Sequence, residues 1–157
     1  MPTNTMILKK APIFADLSVE EQKTIAAAGE QRTYAAGAVI FEEGSRGDAF
    51  YLVESGAVEI AKNIAGGRRK VLTRIETGQV FGEIALFDSS PRSANATADG
   101  DSRLLVFPKD AILEILQTDS GISFKVLSAM LRLMCIRLRA TNEKLKEGIV
   151  WGFQVRV

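Results

Sequence analysis

The sequence predicts a mainly β fold with flanking helices: a jelly-roll (double-stranded β-helix) barrel entered by an N-terminal helix and left by a long C-terminal one. Three observations carry the prediction. Between Gln31 and Phe107, short apolar runs are punctuated by Gly37, Gly44, Gly47, Gly56, Gly66, Gly67, Gly78, Gly82 and Gly100. Turn signals every roughly 8 to 12 residues are the rhythm of a sandwich or barrel. Before that stretch, Ser18-Val19-Glu20-Glu21 forms a capping box with Ser18 as N-cap and Glu21 at N3. After it, Leu127, Leu131, Met134, Leu138, Thr141 and Leu145 recur at intervals of 4, 3, 4, 3 and 4, a helical heptad seam.

Residues 1–11 are weakly patterned, and Phe14 with Leu17 is the first apolar anchor. The capping box starts a helix over 19–28 within the segment 18–29, closed by Gly29 in the C′ position, where a left-handed residue is favoured. In the barrel region 31–107, strands are expected at 31–34, 39–42, 49–54, 57–62, 70–75, 95–98 and 103–107. Val58-Glu59-Ile60-Ala61-Lys62 shows the alternation of a half-buried strand. Gly66-Gly67-Arg68-Arg69-Lys70 reads as a solvated hairpin tip rather than a binding patch. Gly37, Gly44 and Gly47 read as turn residues, and Asp48 as a turn cap.

Pro108 suits the first turn of a helix over 108–117, with Ile112, Leu113, Ile115 and Leu116 as its apolar side. Asp119 or Ser120 then caps a long helix over 120–147. Besides the heptad seam this helix has a second apolar side, Ile122, Val126, Leu133 and Ile136. A helix with two apolar sides needs two partners. The barrel takes one, and a second copy of the chain takes the other, so a homodimer through 122–147 is preferred over packing within one chain. Gly148 is expected to end the helix, leaving residues 148–157 as a tail in which Trp151, Phe153, Val155 and Val157 alternate in a strand-like pattern. That tail reads equally as a lid placing Trp151 on a ligand, a strand added to a partner sheet, or the edge of a truncation.

A chain of 157 residues is of single-domain length and long enough to bury a core. A net charge of +1 with dispersed basic residues gives no sign of direct DNA binding. Cys135 is unpaired in the sequence, which fits a reducing compartment, and it reads as a buried helix residue. The absence of histidine removes Ser-His-Asp and Cys-His chemistry and the histidine metal sites, so neither an enzyme nor a metal centre is expected. No apolar run approaches the ~20 residues of a membrane span, and the N-terminus lacks the apolar stretch of a signal peptide. A cytoplasmic protein without a membrane partner is the expectation.

The chemistry concentrates in residues 81–94, Phe-Gly-Glu-Ile-Ala-Leu-Phe-Asp-Ser-Ser-Pro-Arg-Ser-Ala. Gly82 permits a tight turn, and residues 83–87, Ile84 and Ala85 among them, can form one or two helical turns whose free N–H groups face outward. Pro91 ends the helical run. Arg92 follows with a five-donor fork suited to two phosphate oxygens. Glu83 can accept from a ligand hydroxyl. Taken singly, Glu83 reads as a first-turn acid and Arg92 as a surface partner of Asp88; together they suggest a phosphate next to a sugar hydroxyl.

This run resembles the phosphate-binding cassette of the cyclic nucleotide-binding domain family, on Phe81, Gly82, Glu83, Ala85, Leu86, Pro91, Arg92, Ser93 and Ala94. The resemblance implies that Arg92 pairs with the cyclic phosphate, that Glu83 binds the ribose 2′-hydroxyl, and that N–H groups near Ala85 and Ser93 complete the cradle. The glycine spacing of 37–53 is similar to the family's as well. Arg137 to Lys144 resembles the long helix of the bacterial catabolite activator group, in which a Thr-Ser pair reaches adenine across the dimer. Here the pair is Thr141-Asn142, and Asn142 offers both donor and acceptor. Arg137 is open to three readings: a contact to Glu83, a contact to the base, or a solvated arginine, the last preferred. Ser93 is compatible with either purine. The resemblance implies a non-enzymatic sensor for a cyclic purine mononucleotide, cyclic AMP ahead of cyclic GMP, signalling through the long helix. The competing readings are a ligand-free dimerisation module and the sensor part of a truncated transcription regulator, because the activator group's helix-turn-helix is missing.

Overall fold

The computed structural model describes residues 2–154. In chain order it shows α1 (Pro2–Leu8), a 3₁₀ turn at Pro12–Phe14, α2 (Val19–Ala27), β1 (Glu30–Tyr34), β2 (Val39–Phe41), β3 (Ala49–Ser55), β4 (Ala57–Ile64) and β5 (Arg68–Glu76). There follow β6 (Val80–Phe81), a 3₁₀ turn at Glu83–Leu86, β7 (Asn95–Ala98), β8 (Ser102–Pro108), α3 (Lys109–Thr118) and α4 (Ser120–Gln154). The strands form two four-stranded antiparallel sheets, in orders β1-β8-β3-β6 and β2-β7-β4-β5. The expected mainly β jelly roll with flanking helices is the architecture found.

Strand β3 shows why the layers stack as they do. Its residues Ala49 to Glu54 are all buried, so both of its faces are covered. Successive side chains point to opposite faces. Tyr51 and Val53 therefore join Val58, Ile75, Phe81, Ala96, Leu104 and Val106 in an apolar cluster enclosed between the two sheets. Phe50 and Leu52 face the other way, into a second cluster with Leu105 and Phe107, where the helices supply Phe14, Ile25, Ile112, Ile122 and Val126. Phe50 and Phe107 are register partners and their rings stack at 4.8 Å. The order is sheet, core, sheet, core, helices.

The capping box forms as expected: Glu21 N–H donates to Ser18 Oγ at 3.2 Å, and Ser18 N–H to the Glu21 carboxylate at 2.7 Å. The hairpin of Gly66 and Gly67 is exposed. Helix α4 is longer than expected. Gly148 does not end it, and residues 151–154 continue the helix instead of starting a strand; Val155 and Val157 lie outside the described residues. One glycine in a helix costs only about 1 kcal/mol against alanine, too little to stop a helix of this length.

The barrel takes the Ile122 and Val126 side of α4, together with Ala129 and Met130. The seam residues Leu127, Leu131, Leu138 and Leu145 are exposed, as is Ile136 of the second apolar side. Cys135 is exposed too, contrary to expectation. It stands nine residues after Val126, and at 3.6 residues per turn that places it half a turn round the helix, away from the barrel. Salt bridges tie the first half of α4 down, Lys125 to Glu21 at 2.7 Å and Arg132 to Asp16 at 2.8 Å.

Candidate functional site

At the end of β6 the chain turns through Gly82, whose φ of 74° lies in the left-handed region. A side chain there meets a second obstacle, since its Cβ would lie 2.8 Å from Arg92 Nη1. The Glu83–Leu86 turn is a single 3₁₀ turn, shorter than the sequence suggested, and it ends well before Pro91. Ala85 and Leu86 are buried, Leu86 in the helix-side core, and Ile84 is exposed.

Arg92 sits inward, only 5% exposed, and does not pair with Asp88, which accepts instead from Ser90 N–H. Two carbonyls accept from its fork: Gly82 O from Nη1 at 3.1 Å and Ala49 O from Nη2 at 2.5 Å. The guanidinium lies 4.1 Å from the Phe41 ring centroid and 5.7 Å from that of Tyr51, where the negative ring faces favour a cation. Among the described residues no carboxylate forms a salt bridge with it, and its Nε is the only buried side-chain polar atom without a hydrogen-bond partner. Burial pulls its pKa below the ordinary arginine value. A desolvated cation with an unused donor fits an anionic ligand group.

The backbone of Arg92 is pinned as well. Its N–H donates to Ser45 O at 2.8 Å and its carbonyl accepts from Gly44 N–H at 2.8 Å. The 44–47 loop thus belongs to the site, and Gly47 is more than the turn residue it seemed in the sequence: a Cβ there would come 2.4 Å from Ala85 Cβ. Gly47 has an ordinary φ, so close approach is its requirement.

Glu83 is 1% exposed and pairs with Arg137 of α4, whose Nη2 also donates to Val80 O at 2.8 Å. Of the three readings of Arg137, the contact to Glu83 is the one found, and the solvated arginine is corrected. The preference for a solvated arginine fails because the partner lies 54 residues away along the chain, beyond the reach of local pattern. Beyond Arg137, residues 138–149 are all exposed, so this pair is the outermost tie between α4 and the barrel among the described side chains.

These groups surround a cavity of about 600 Å³. Of the residues expected from the sequence, Phe81, Gly82, Glu83, Ile84, Ala85, Arg92, Ser93, Ala94, Arg137 and Thr141 line it, and Asn142 does not. Asn142 is one step round the helix from Thr141 and lies with Leu145 and Ile149 at a separate groove. Sequence reasoning missed the walls. Phe41, Ile60 and Leu72 come from the second sheet, and Leu133, Ile136 and Lys144 from α4. The i, i+4, i+7 spacing of Leu133, Arg137 and Ala140 was the available signal for the helix wall. Apolar walls with a few convergent polar groups suit a flat heterocycle carrying a charged group at one end. Among the described residues, no group of three or more His, Cys, Asp or Glu is placed to hold a metal ion, and no helix is long and apolar enough to cross a membrane.

Residues 31–119 match the family described as a cyclic nucleotide-binding domain. The chain is 37% identical over 109 residues to the cAMP-dependent protein kinase regulatory subunit of Yarrowia lipolytica, covering 69% of this chain and 28% of that protein. It is 33% identical over 154 residues to a CRP-like cAMP-activated global transcriptional regulator of Mycobacterium tuberculosis, covering 96% of this chain and 66% of the relative. Among solved structures, the catabolite activator protein of Thermus thermophilus superposes with a TM-score of 0.78 at 32% identity, over 87% of this chain and 62% of that one. The chain therefore spans less than two-thirds of each of these proteins.

Proposed function

The chain belongs to the cyclic nucleotide-binding domain family, and on that premise we propose that it is a non-enzymatic cytoplasmic sensor module whose ligand is cyclic AMP. The observation that carries the reading is Arg92: a buried cation, held by carbonyls and ring faces, with an unused Nε donor beside a cavity. A singly charged cyclic phosphate supplies the missing counter-charge. Glu83 lies two residues from β6 at the same end of the cavity and accepts from the ribose 2′-hydroxyl. The purine lies between Ile60 and Leu72 on one side and the Ala140 and Thr141 stretch of α4 on the other.

Preference for cyclic AMP over cyclic GMP is supported by the hydroxyl of Thr141. It donates to Arg137 O at 2.9 Å. With its proton committed to the helix, Thr141 faces the cavity as an acceptor, which suits the 6-amino group of adenine and not the 6-oxo group of guanine. The relatives' names, cAMP-dependent and cAMP-activated, point the same way.

The signal passes through α4. A ribose hydroxyl arriving at Glu83 enters the same carboxylate that Arg137 holds, so occupancy of the pocket changes the outermost tie of the helix. The ligand shifts the helix only by its differential affinity for the two arrangements. Residues 1–147 form the sensor domain, with residues 148–154 continuing α4 beyond it, and the exposed seam of α4 pairs with a second copy. That pairing also gives Asn142 a route to the neighbouring pocket. A second reading is favoured by the alignment with the Mycobacterium tuberculosis regulator, of which the chain matches 66%: the module is the sensing part of a longer regulator.

Isothermal calorimetry tests the proposal. A ligand of about 22 heavy atoms at ~0.3 to 0.4 kcal/mol per atom binds with roughly micromolar affinity. Cyclic GMP is expected to bind about tenfold more weakly, and Arg92→Ala to lose at least about 100-fold for cyclic AMP. No heat with either nucleotide at high micromolar concentration overturns the reading.

A further inference from the structure

Four cationic side chains line the cavity: Arg74, Arg92, Arg137 and Lys144. Arg74 is shared between Asp99, at 2.6 Å, and Glu76. Arg137 is paired with Glu83, and Arg92 occupies the phosphate end. Lys144 alone has no hydrogen bond or ion pair among the described residues. It is an uncommitted donor on the wall of a ligand cavity.

Its position along α4 says what it can reach. Lys144 stands seven residues beyond Arg137, two turns or about 10 Å along the axis, and one turn beyond Thr141 on the same side of the helix. The polar end of the cavity is at Arg137 and Glu83, so Lys144 belongs to the opposite, base end. There the two neighbours have opposite hydrogen-bonding character. Thr141, with its proton committed to Arg137 O, is an acceptor; an ammonium has three donors and no acceptor. A 6-aminopurine presents the complementary order, an amino donor flanked by ring nitrogens that accept.

Resting on the cyclic AMP reading above, we propose that Lys144 is a second base-reading residue, its ammonium donating to a ring nitrogen beside the 6-amino group while Thr141 accepts from that amino group. The division of labour follows. Thr141 discriminates between amino and oxo purines. Lys144 finds an acceptor on either and adds affinity to both.

The test compares cyclic AMP with its 7-deaza and 1-deaza analogues by calorimetry, on the wild-type chain and on Lys144→Met and Lys144→Arg. A hydrogen bond from an exposed ammonium is expected to be worth about five- to tenfold in Kd. Wild type should lose that factor on one of the two analogues, which identifies the nitrogen. Lys144→Met should bind cyclic AMP as weakly as wild type binds that analogue and should no longer distinguish the pair; Lys144→Arg should recover part of the difference. If Lys144→Met keeps wild-type affinity, or wild type binds both analogues as well as cyclic AMP, the role of Lys144 is overturned and the cyclic AMP reading stands. If wild type binds no cyclic AMP, both fall together. The side chain is exposed, so the substitution leaves the fold in place.

Discussion

Glu83 is a buried carboxylate paired with one arginine, and its replacement separates charge from shape. Glu83→Gln retains an acceptor of the same size but loses the ionic part of the hydrogen bond, about 1 kcal/mol by the difference between charged and neutral partners. Wild type is expected to bind cyclic AMP about tenfold more tightly than its 2′-deoxy analogue, and the variant less than about threefold; an unchanged ratio in calorimetry removes Glu83 from the ribose. Much at this scale was legible beforehand. Phe81, Gly82, Glu83 and Arg92 carry unusual chemistry at a fixed local spacing, so a linear reading finds them. The reading failed where the partner is distant along the chain. Gly47 looked like a turn residue because its reason, Ala85, comes from the cassette turn. Arg137 looked solvated because Glu83 lies far upstream.

Two elements lend themselves to tests. The 44–47 loop and the Glu83–Leu86 turn pack so closely that Gly47→Ala should cost about 1–3 kcal/mol of stability in urea unfolding, the range for overfilled packing. Ala85→Gly in the same chain should return at least about half of it, and failure of that rescue would mean the contact is not what Gly47 is for. For α4, Leu131 and Leu138 are 66% and 62% exposed in the single chain, so Leu131→Glu with Leu138→Glu should leave the barrel folded. Wild type is expected to sediment as a dimer at micromolar concentration and this variant as a monomer; a monomeric wild type refutes the pairing. Seven of the eight strands were legible, because glycine turns and period-2 alternation are local signals. Strand β6 is two residues long and is defined only by its pairing with β3. Helix α1 had too few patterned residues to be seen, and the end of α4 was misplaced because a single glycine was given more weight than its energy warrants.

For the molecule as a whole, the absence of histidine removes the group that ordinarily titrates near neutrality, so the thermal midpoint should be flat between about pH 6 and 8. The acid side differs. The Lys125 hydrogen bond and the Ser18 N–H hold the Glu21 carboxyl below its ordinary 4.5. A carboxyl depressed in the folded state stabilises above its unfolded value and loses that contribution as pH falls through the folded one. A Lys125→Met variant, less stable than wild type at pH 6, should converge on it as the pH drops below about 4.5, read from thermal melts across that range; a constant gap would show that the bridge to α2 contributes nothing through charge. The layered architecture was legible from the sequence, while the face that α4 gives to the barrel was not, because two apolar sides compete and only the three-dimensional packing chooses between them. The setting of Arg92 has one more consequence. Its guanidinium is stripped of water when the chain folds, not when the ligand arrives, and dissolved ions screen a charge so enclosed far less than one at the surface. Affinity for the nucleotide should therefore change little between low and physiological ionic strength, so that the concentration of ligand, and not the salt around it, sets how much of the protein is occupied.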